Sequence, residues 1–204
     1  MSRATYNFDV KMIKEAEHWA AKSKDPSTQV GVVLVPAYGD VPIPGYNGFP
    51  RGVDDDEDNE KGRWDRPIKY SYVEHAERNA IYNAARMGVK TMGATMYFNF
   101  DPRPCTNCAR AIIQAGVRRL VGYSHRPFPG KGTQWKDDLV VAETMLREAG
   151  VQISYLAPNA KEREHREAFV EKEEGCCGCH SCDSGLRLPN IADWHEAPRL
   201  PREK

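Results

Sequence analysis

Two short segments of this sequence hold the residue types that could do chemistry. His75-Ala76-Glu77 and Pro104-Cys105-Thr106-Asn107-Cys108 each stand where a helix is expected to begin. One neutral imidazole and two thiolates make a three-ligand zinc site with one coordination position left for water. A helix start suits thiolates, because its unpaired amides and its dipole favour negative charge. Glu77 follows His75 by two residues, so in the first helical turn it can sit beside the water without ligating the metal. Zinc brings such a water to hydroxide near neutral pH, and one carboxylate can move the proton as base and return it as acid. Either segment alone is a weak signal. A Cys-x-x-Cys pair can be redox active or part of a structural zinc site, and a His-x-Glu is common by chance. Together, in this order and each opening a helix, they point to a catalytic metal centre.

Only a folded domain can bring His75 to the two cysteines, so the surrounding elements matter. Asp9 to Lys22 carries Val10, Ile13, Ala16, Glu17 and Ala20 at near-helical spacing, with Asp9 as the expected N-cap. Ser23 to Ser27 breaks that helix, and Gln29 to Val35 is a β-branched run of the kind found in buried strands. A short second strand ends near Tyr46. Arg51 to Pro67 is acidic and poor in aliphatic residues, and is expected to be a solvated loop. Helices follow over Ala76–Met87, ended by Gly88, and Thr106–Ala115, ended by Gly116; strands are expected over Ala94–Phe98 and Arg119–Tyr123. Asp137 to Ala149 reads as amphipathic, with Val140, Val141, Thr144, Met145 and Ala149 on or near one face, and Val151 to Leu156 is a last strand. Strands alternating with helices indicate an α/β domain with a layered sheet. The apolar pattern fades after Pro158, so residues 1–158 are expected to form the domain and 159–204 a charged, Cys-rich extension.

Lys+Arg and Asp+Glu both number 29 in the 204 residues, so the formal net charge is zero. That balance argues against a broad electrostatic attraction to nucleic acid, although a few local cations suffice for one phosphate. There is no export signal and no apolar run long enough to span a membrane, so the expected location is the cytoplasm.

Four further segments sharpen the picture: Lys24-Asp25-Pro26-Ser27-Thr28-Gln29-Val30-Gly31, Gly45-Tyr46-Asn47-Gly48-Phe49-Pro50-Arg51-Gly52, His75-Ala76-Glu77-Arg78-Asn79-Ala80-Ile81, and Pro104-Cys105-Thr106-Asn107-Cys108-Ala109. In this order they resemble the deoxycytidylate (dCMP) deaminase family of the cytidine deaminase-like superfamily, whose general signature is H-x-E with P-C-x-x-C. The resemblance covers roughly residues 9 to 156. It implies a three-layer α/β/α fold with a five-stranded mixed sheet, hydrolysis of dCMP to dUMP and ammonia, and a homo-oligomer, either a dimer or a hexamer. It also implies dCTP and dTTP as candidate effectors, though no residue here supports them. Carried over, His75, Cys105 and Cys108 look like the zinc ligands and Glu77 like the proton shuttle. Asn47 looks like the residue that hydrogen-bonds the sugar hydroxyl, and the Ala76 amide like the group that binds the pyrimidine carbonyl. Lys24 and Ser27 stand where relatives place groups near the phosphate. Two stretches depart from the family pattern: the segment between Asn47 and His75 has none of the Cys or His that some relatives use for a second zinc, and His125 to Trp135 is rich in Pro and Gly.

The extension contains Cys176, Cys177, Cys179, His180 and Cys182. A small structural zinc knuckle and a reactive tail are both consistent with this spacing, and so compressed a cluster needs a ligand from elsewhere to reach four. Other readings of the whole chain are a deaminase of dCTP, CMP or 5-modified dCMP, a deaminase of a base within nucleic acid, and a zinc-stabilised binding module without turnover.

Overall fold

The computed structural model describes residues 3–38, 41–56, 58–123 and 134–156. Ten elements follow in the order α1 (Arg3–Ala20), β1 (Gly31–Val35), β2 (Ile43–Tyr46), α2 (Lys69–Tyr72), α3 (Ala76–Met87), β3 (Thr95–Phe98), α4 (Thr106–Gln114), β4 (Arg119–Tyr123), α5 (Gln134–Glu148) and β5 (Gln152–Leu156). The strands form one five-stranded sheet in the order β2-β1-β3-β4-β5. β1 runs antiparallel to both β2 and β3, while β3, β4 and β5 are mutually parallel. This is the expected mixed α/β sheet.

Side-chain alternation along the strands sorts the core into two halves. Val32, Leu34, Met96, Phe98 and Leu120 pack with Ala76, Ala80, Ala84, Ala109, Ile112, Ala142 and Leu146, so α3, α4 and α5 cover one face. Val33, Tyr97, Val121 and Tyr123 pack with Ile13 and Ala16 of α1 on the other. The layers are therefore α/β/α, as expected. α3 lies unusually close to β2: a Cβ on Gly45 would meet the Ala76 carbonyl oxygen at 2.2 Å and the Ala80 nitrogen at 2.5 Å. Glycine on the strand and alanine on the helix let the element that carries His75 and Glu77 rest directly on the sheet.

Several expectations need correction. α1 begins at Arg3, so Asp9 is an interior helical residue and not an N-cap. Asp9 is fully buried, where it accepts hydrogen bonds from the Tyr97 hydroxyl at 2.9 Å and from Arg119 at 2.6 and 3.1 Å. A capping residue and a buried ion-pair partner look the same in sequence; Arg119 is distant along the chain and decides between them. α5 begins at Gln134, inside the Pro- and Gly-rich stretch; residues 125–133 of that stretch lie outside the described residues. In α5 the buried face belongs to Ala142 and Leu146, whereas Val140 and Val141 are 64% and 52% exposed.

The acidic segment is also more than a solvated loop. Asp56 and Trp64 are buried within it. The Asp56 carboxylate accepts the backbone N–H groups of Lys61 and Arg63, and Trp64 stacks on Phe49 at a centroid distance of 4.4 Å. Tyr72 also stacks on Phe49, at 5.2 Å, which fastens the segment and α2 to the chain that leaves β2. Among the described residues no helix is long and apolar enough to cross a membrane.

Candidate active site

His75 and Cys105 are the N-cap residues of α3 and α4, and neither side chain caps its helix. Their side chains turn toward each other instead. His75 Nδ1 lies 3.5 Å from Cys105 Sγ and 3.4 Å from Cys108 Sγ, and all three donor atoms fall within 4.8 Å of one another. Zinc at ordinary bond lengths and tetrahedral angles would separate a nitrogen from a sulfur ligand by about 3.6 Å. The donor set and its spacing therefore fit zinc, with no further described His, Cys, Asp or Glu in the cluster to fill a fourth position.

The ionisable groups of the cluster act strongly on one another. The Cys105 thiol is held down to about 4 by the hydrogen bond from Cys108, against the effect of burial, and further by His75. Cys108 is pushed up by that same hydrogen bond and by burial. His75 is raised to about 8, chiefly through its contact with Cys105. Glu77 is 2% exposed, and burial raises its carboxyl above the usual range while His75 works in the opposite direction. The charges of His75 and Cys105 both act on it, so it lies near the cluster, although it is not one of the three clustered donors.

Helices whose cap positions serve a metal must have their ends satisfied by other groups. Asp138 of α5 accepts the Thr106 N–H at 3.0 Å and the Thr106 hydroxyl at 2.6 Å, so it caps α4 from outside. Glu74 accepts the His75 N–H at 3.0 Å and pairs with Arg78 at 2.5 Å. His75 and Cys105 open onto a cavity of about 330 Å³ that Tyr70, Arg78 and Asn107 also line.

Residues 6–124 match the family described as the cytidine and deoxycytidylate deaminase zinc-binding region. A protein described as an uncharacterized deaminase in the luxG 3′ region of Aliivibrio fischeri is 36% identical over 141 residues, which are 69% of this chain and 88% of that one. The deoxycytidylate deaminase of Pongo abelii is 36% identical over 143 residues, 68% of this chain and 74% of its own. In structure, the dCMP deaminase of cyanophage S-TIM5 superposes with a TM-score of 0.55 at 22% identity, over 76% of this chain and 100% of that one, which shows a shared fold. The chain belongs to the cytidine and deoxycytidylate deaminase family.

In this family member the remaining sequence-derived candidates fall in different surroundings. Ala76 is fully buried, and its amide is the first of α3, with no acceptor within the helix. Asn47 is joined to the segment that carries His75 by a bridge one residue on, where Gly48 and Glu74 exchange backbone hydrogen bonds of 3.1 and 2.8 Å. Its side chain is buried and mostly committed. Oδ1 accepts the Val30 N–H at 2.8 Å, and Nδ2 donates to the Thr28 carbonyl at 2.8 Å and to Asp25 at 3.2 Å. The two backbone partners settle which end of the amide is which, and one lone pair on Oδ1 is all that it can offer a ligand. Ser27 is tied to Asp25 through both its N–H and its hydroxyl at 2.9 Å. Lys24 forms a 2.7 Å ion pair with Asp55 of the acidic segment.

Sequence reasoning missed Lys69, Asp25, Glu74 and Asp138. The Glu74–Arg78 spacing of i, i+4 was a readable signal, whereas nothing local pairs Asp138 with Thr106 or Lys69 with Asp25. The cluster from Cys176 to Cys182 lies outside the described residues.

Proposed function

We propose that this chain is a zinc-dependent deaminase that hydrolyses dCMP to dUMP and ammonia. The observation that carries the reading is a buried carboxylate, Glu77, set against the His75–Cys105–Cys108 triangle in a chain about a third identical to deoxycytidylate deaminases. His75, Cys105 and Cys108 would hold the ion, whose Lewis acidity supplies hydroxide near neutral pH. The chain's own residues do the rest. Glu77, whose raised pKa suits both accepting and releasing a proton, takes a proton from the attacking water and gives it to the ring nitrogen, then takes the proton of the new C4 hydroxyl and gives it to the departing amine. The buried Ala76 amide is a preformed donor for the pyrimidine carbonyl, and Asn47 an acceptor for the sugar hydroxyl. The water oxygen first bonds to C4; the C4–N bond then breaks, the C4 carbonyl forms and ammonia leaves, while the ring nitrogen keeps its proton.

Ammonia release from deoxycytidine, dCMP, dCTP and 5-methyl-dCMP tests this reading. The expected result is the highest kcat/KM on dCMP. Equal kcat/KM on deoxycytidine and dCMP would reduce the chain to a deaminase blind to phosphate, and silence on all four would end the catalytic reading.

A further inference from the structure

Lys69 opens α2, immediately after the acidic segment, and is only 5% exposed. Its ammonium donates to Asp25 Oδ1 at 2.9 Å, Asp25 Oδ2 at 2.7 Å and Ser27 Oγ at 2.7 Å, so all three protons are used. Asp25 also receives the N–H groups of Ser27 and Thr28 at 2.9 and 3.1 Å and the Asn47 amide at 3.2 Å. These bonds form one closed network from α2, through the 25–28 turn, to the end of β2. From the other side, the Lys24–Asp55 pair joins the same turn to the acidic segment. Within the Asn47 side chain, both amide protons are spent and the second lone pair of Oδ1 is left open.

A buried ion pair is an expensive way to hold a loop, since apolar side chains of similar volume usually stabilise as well or better. What it provides is a defined orientation. Lys69 holds Asp25, Asp25 holds the Asn47 amide nitrogen, and the Asn47 carbonyl oxygen is thereby aimed. We propose that Lys69 is a positioning residue for nucleotide binding, which acts through Asp25 to present Asn47 Oδ1 as an acceptor for the substrate's sugar hydroxyl. The inference rests on the dCMP reading. It makes the acidic segment and α2 the support of the sugar site, and it makes that site acceptor-only, so the nucleotide must supply a donor. In dCMP the 3′-hydroxyl is the group that can.

The test pairs a protein change with a substrate change. Lys69→Met/Asp25→Asn removes both charges together and avoids stranding either one; Lys69→Arg keeps the charge with the wrong reach and serves as the second variant. Each is assayed for zinc content and for kcat and KM on dCMP and on its 3′-deoxy analogue. Displacing a contact group by a fraction of an ångström to an ångström is expected to raise KM for dCMP about ten- to hundredfold with a smaller change in kcat and unchanged zinc. The wild type should discriminate strongly against the 3′-deoxy analogue, and the variants should not. A folded, zinc-loaded variant with wild-type KM and wild-type discrimination would overturn the inference while leaving the dCMP reading intact. A zinc-loaded wild type that releases no ammonia from dCMP would overturn that reading and this inference with it.

Discussion

At the scale of single residues, the proposed mechanism separates metal holding from proton handling. Glu77 touches the ligand cluster but does not belong to it, so Glu77→Gln should keep zinc and the binding of dUMP. Its kcat should fall about 10²- to 10⁴-fold, because the carboxylate that moves the protons is gone. Metal analysis beside the ammonia assay checks both halves; near wild-type turnover would remove Glu77 from the mechanism. Asn47 has two roles that a simple substitution would confuse. Asn47→Ala deletes the partners of the Val30 N–H and the Thr28 carbonyl as well as any sugar contact. Each buried group so stranded costs about 1–3 kcal/mol. The expected outcome is therefore a lowered unfolding midpoint together with a raised KM, and thermal denaturation of the apo and dUMP-bound variant reads the two separately.

Among elements, the close contact of α3 with β2 sets the position of the catalytic segment. Gly45→Ala must push the Ala76 carbonyl and the Ala80 amide away, since the new Cβ would lie within 2.2 and 2.5 Å of them. Overpacking of this kind costs about 1–3 kcal/mol, and here the displaced turn carries His75 and Glu77. Zinc affinity and kcat should fall along with stability, which chelator competition and the ammonia assay would show; a loss of stability alone would mean that α3 shifts as a rigid body. On the opposite face, Asp9 joins α1 to β3 and β4 through Tyr97 and Arg119. Asp9→Ala should destabilise the fold by up to about 3 kcal/mol, near the low end for breaking a buried pair because Arg119 keeps some contact with solvent. Zinc binding in the folded fraction should be unchanged, as α1 does not reach the ligands.

For the whole molecule, the buried Asp25–Lys69 pair ties stability to pH. Burial alone would raise the Asp25 carboxyl, but the bonds from Lys69 and Ser27 outweigh it and leave the folded pKa below its ordinary value. A carboxylate of about pKa 3.9 when unfolded and lower when folded contributes stability above pH ~4. That contribution disappears as pH falls through the folded value. Urea denaturation between neutral and acidic pH should show the midpoint dropping below pH ~4 in the wild type, with a shallower fall in Lys69→Met/Asp25→Asn. Parallel curves would mean that this pair does not govern acid stability. A zinc ion held by His75, Cys105 and Cys108 would add stability by mass action, because ligands brought together by folding bind it far better than the unfolded chain does. His75→Ala should lower the zinc content by one ion per chain and should remove most of the chelator sensitivity of the unfolding midpoint.

The order of the elements apart from α2, the ends of α3 at Gly88 and of α4 before Gly116, and the meeting of His75 with Cys105 and Cys108 were legible in the sequence. Apolar periodicity and glycine stops are local properties, and the ligand types reveal themselves through short spacings. The rest depended on partners far away along the chain. Asp9 looks like a cap until Arg119 is beside it, Lys69 looks like a surface lysine until Asp25 and Ser27 surround it, and Asn47 looks like a turn residue with a whole amide to offer until Val30 and Thr28 claim most of it. Hydrogen bonds and ion pairs between distant segments leave no periodic trace, so which polar groups are spent and which remain to meet a substrate was decided only by the tertiary structure.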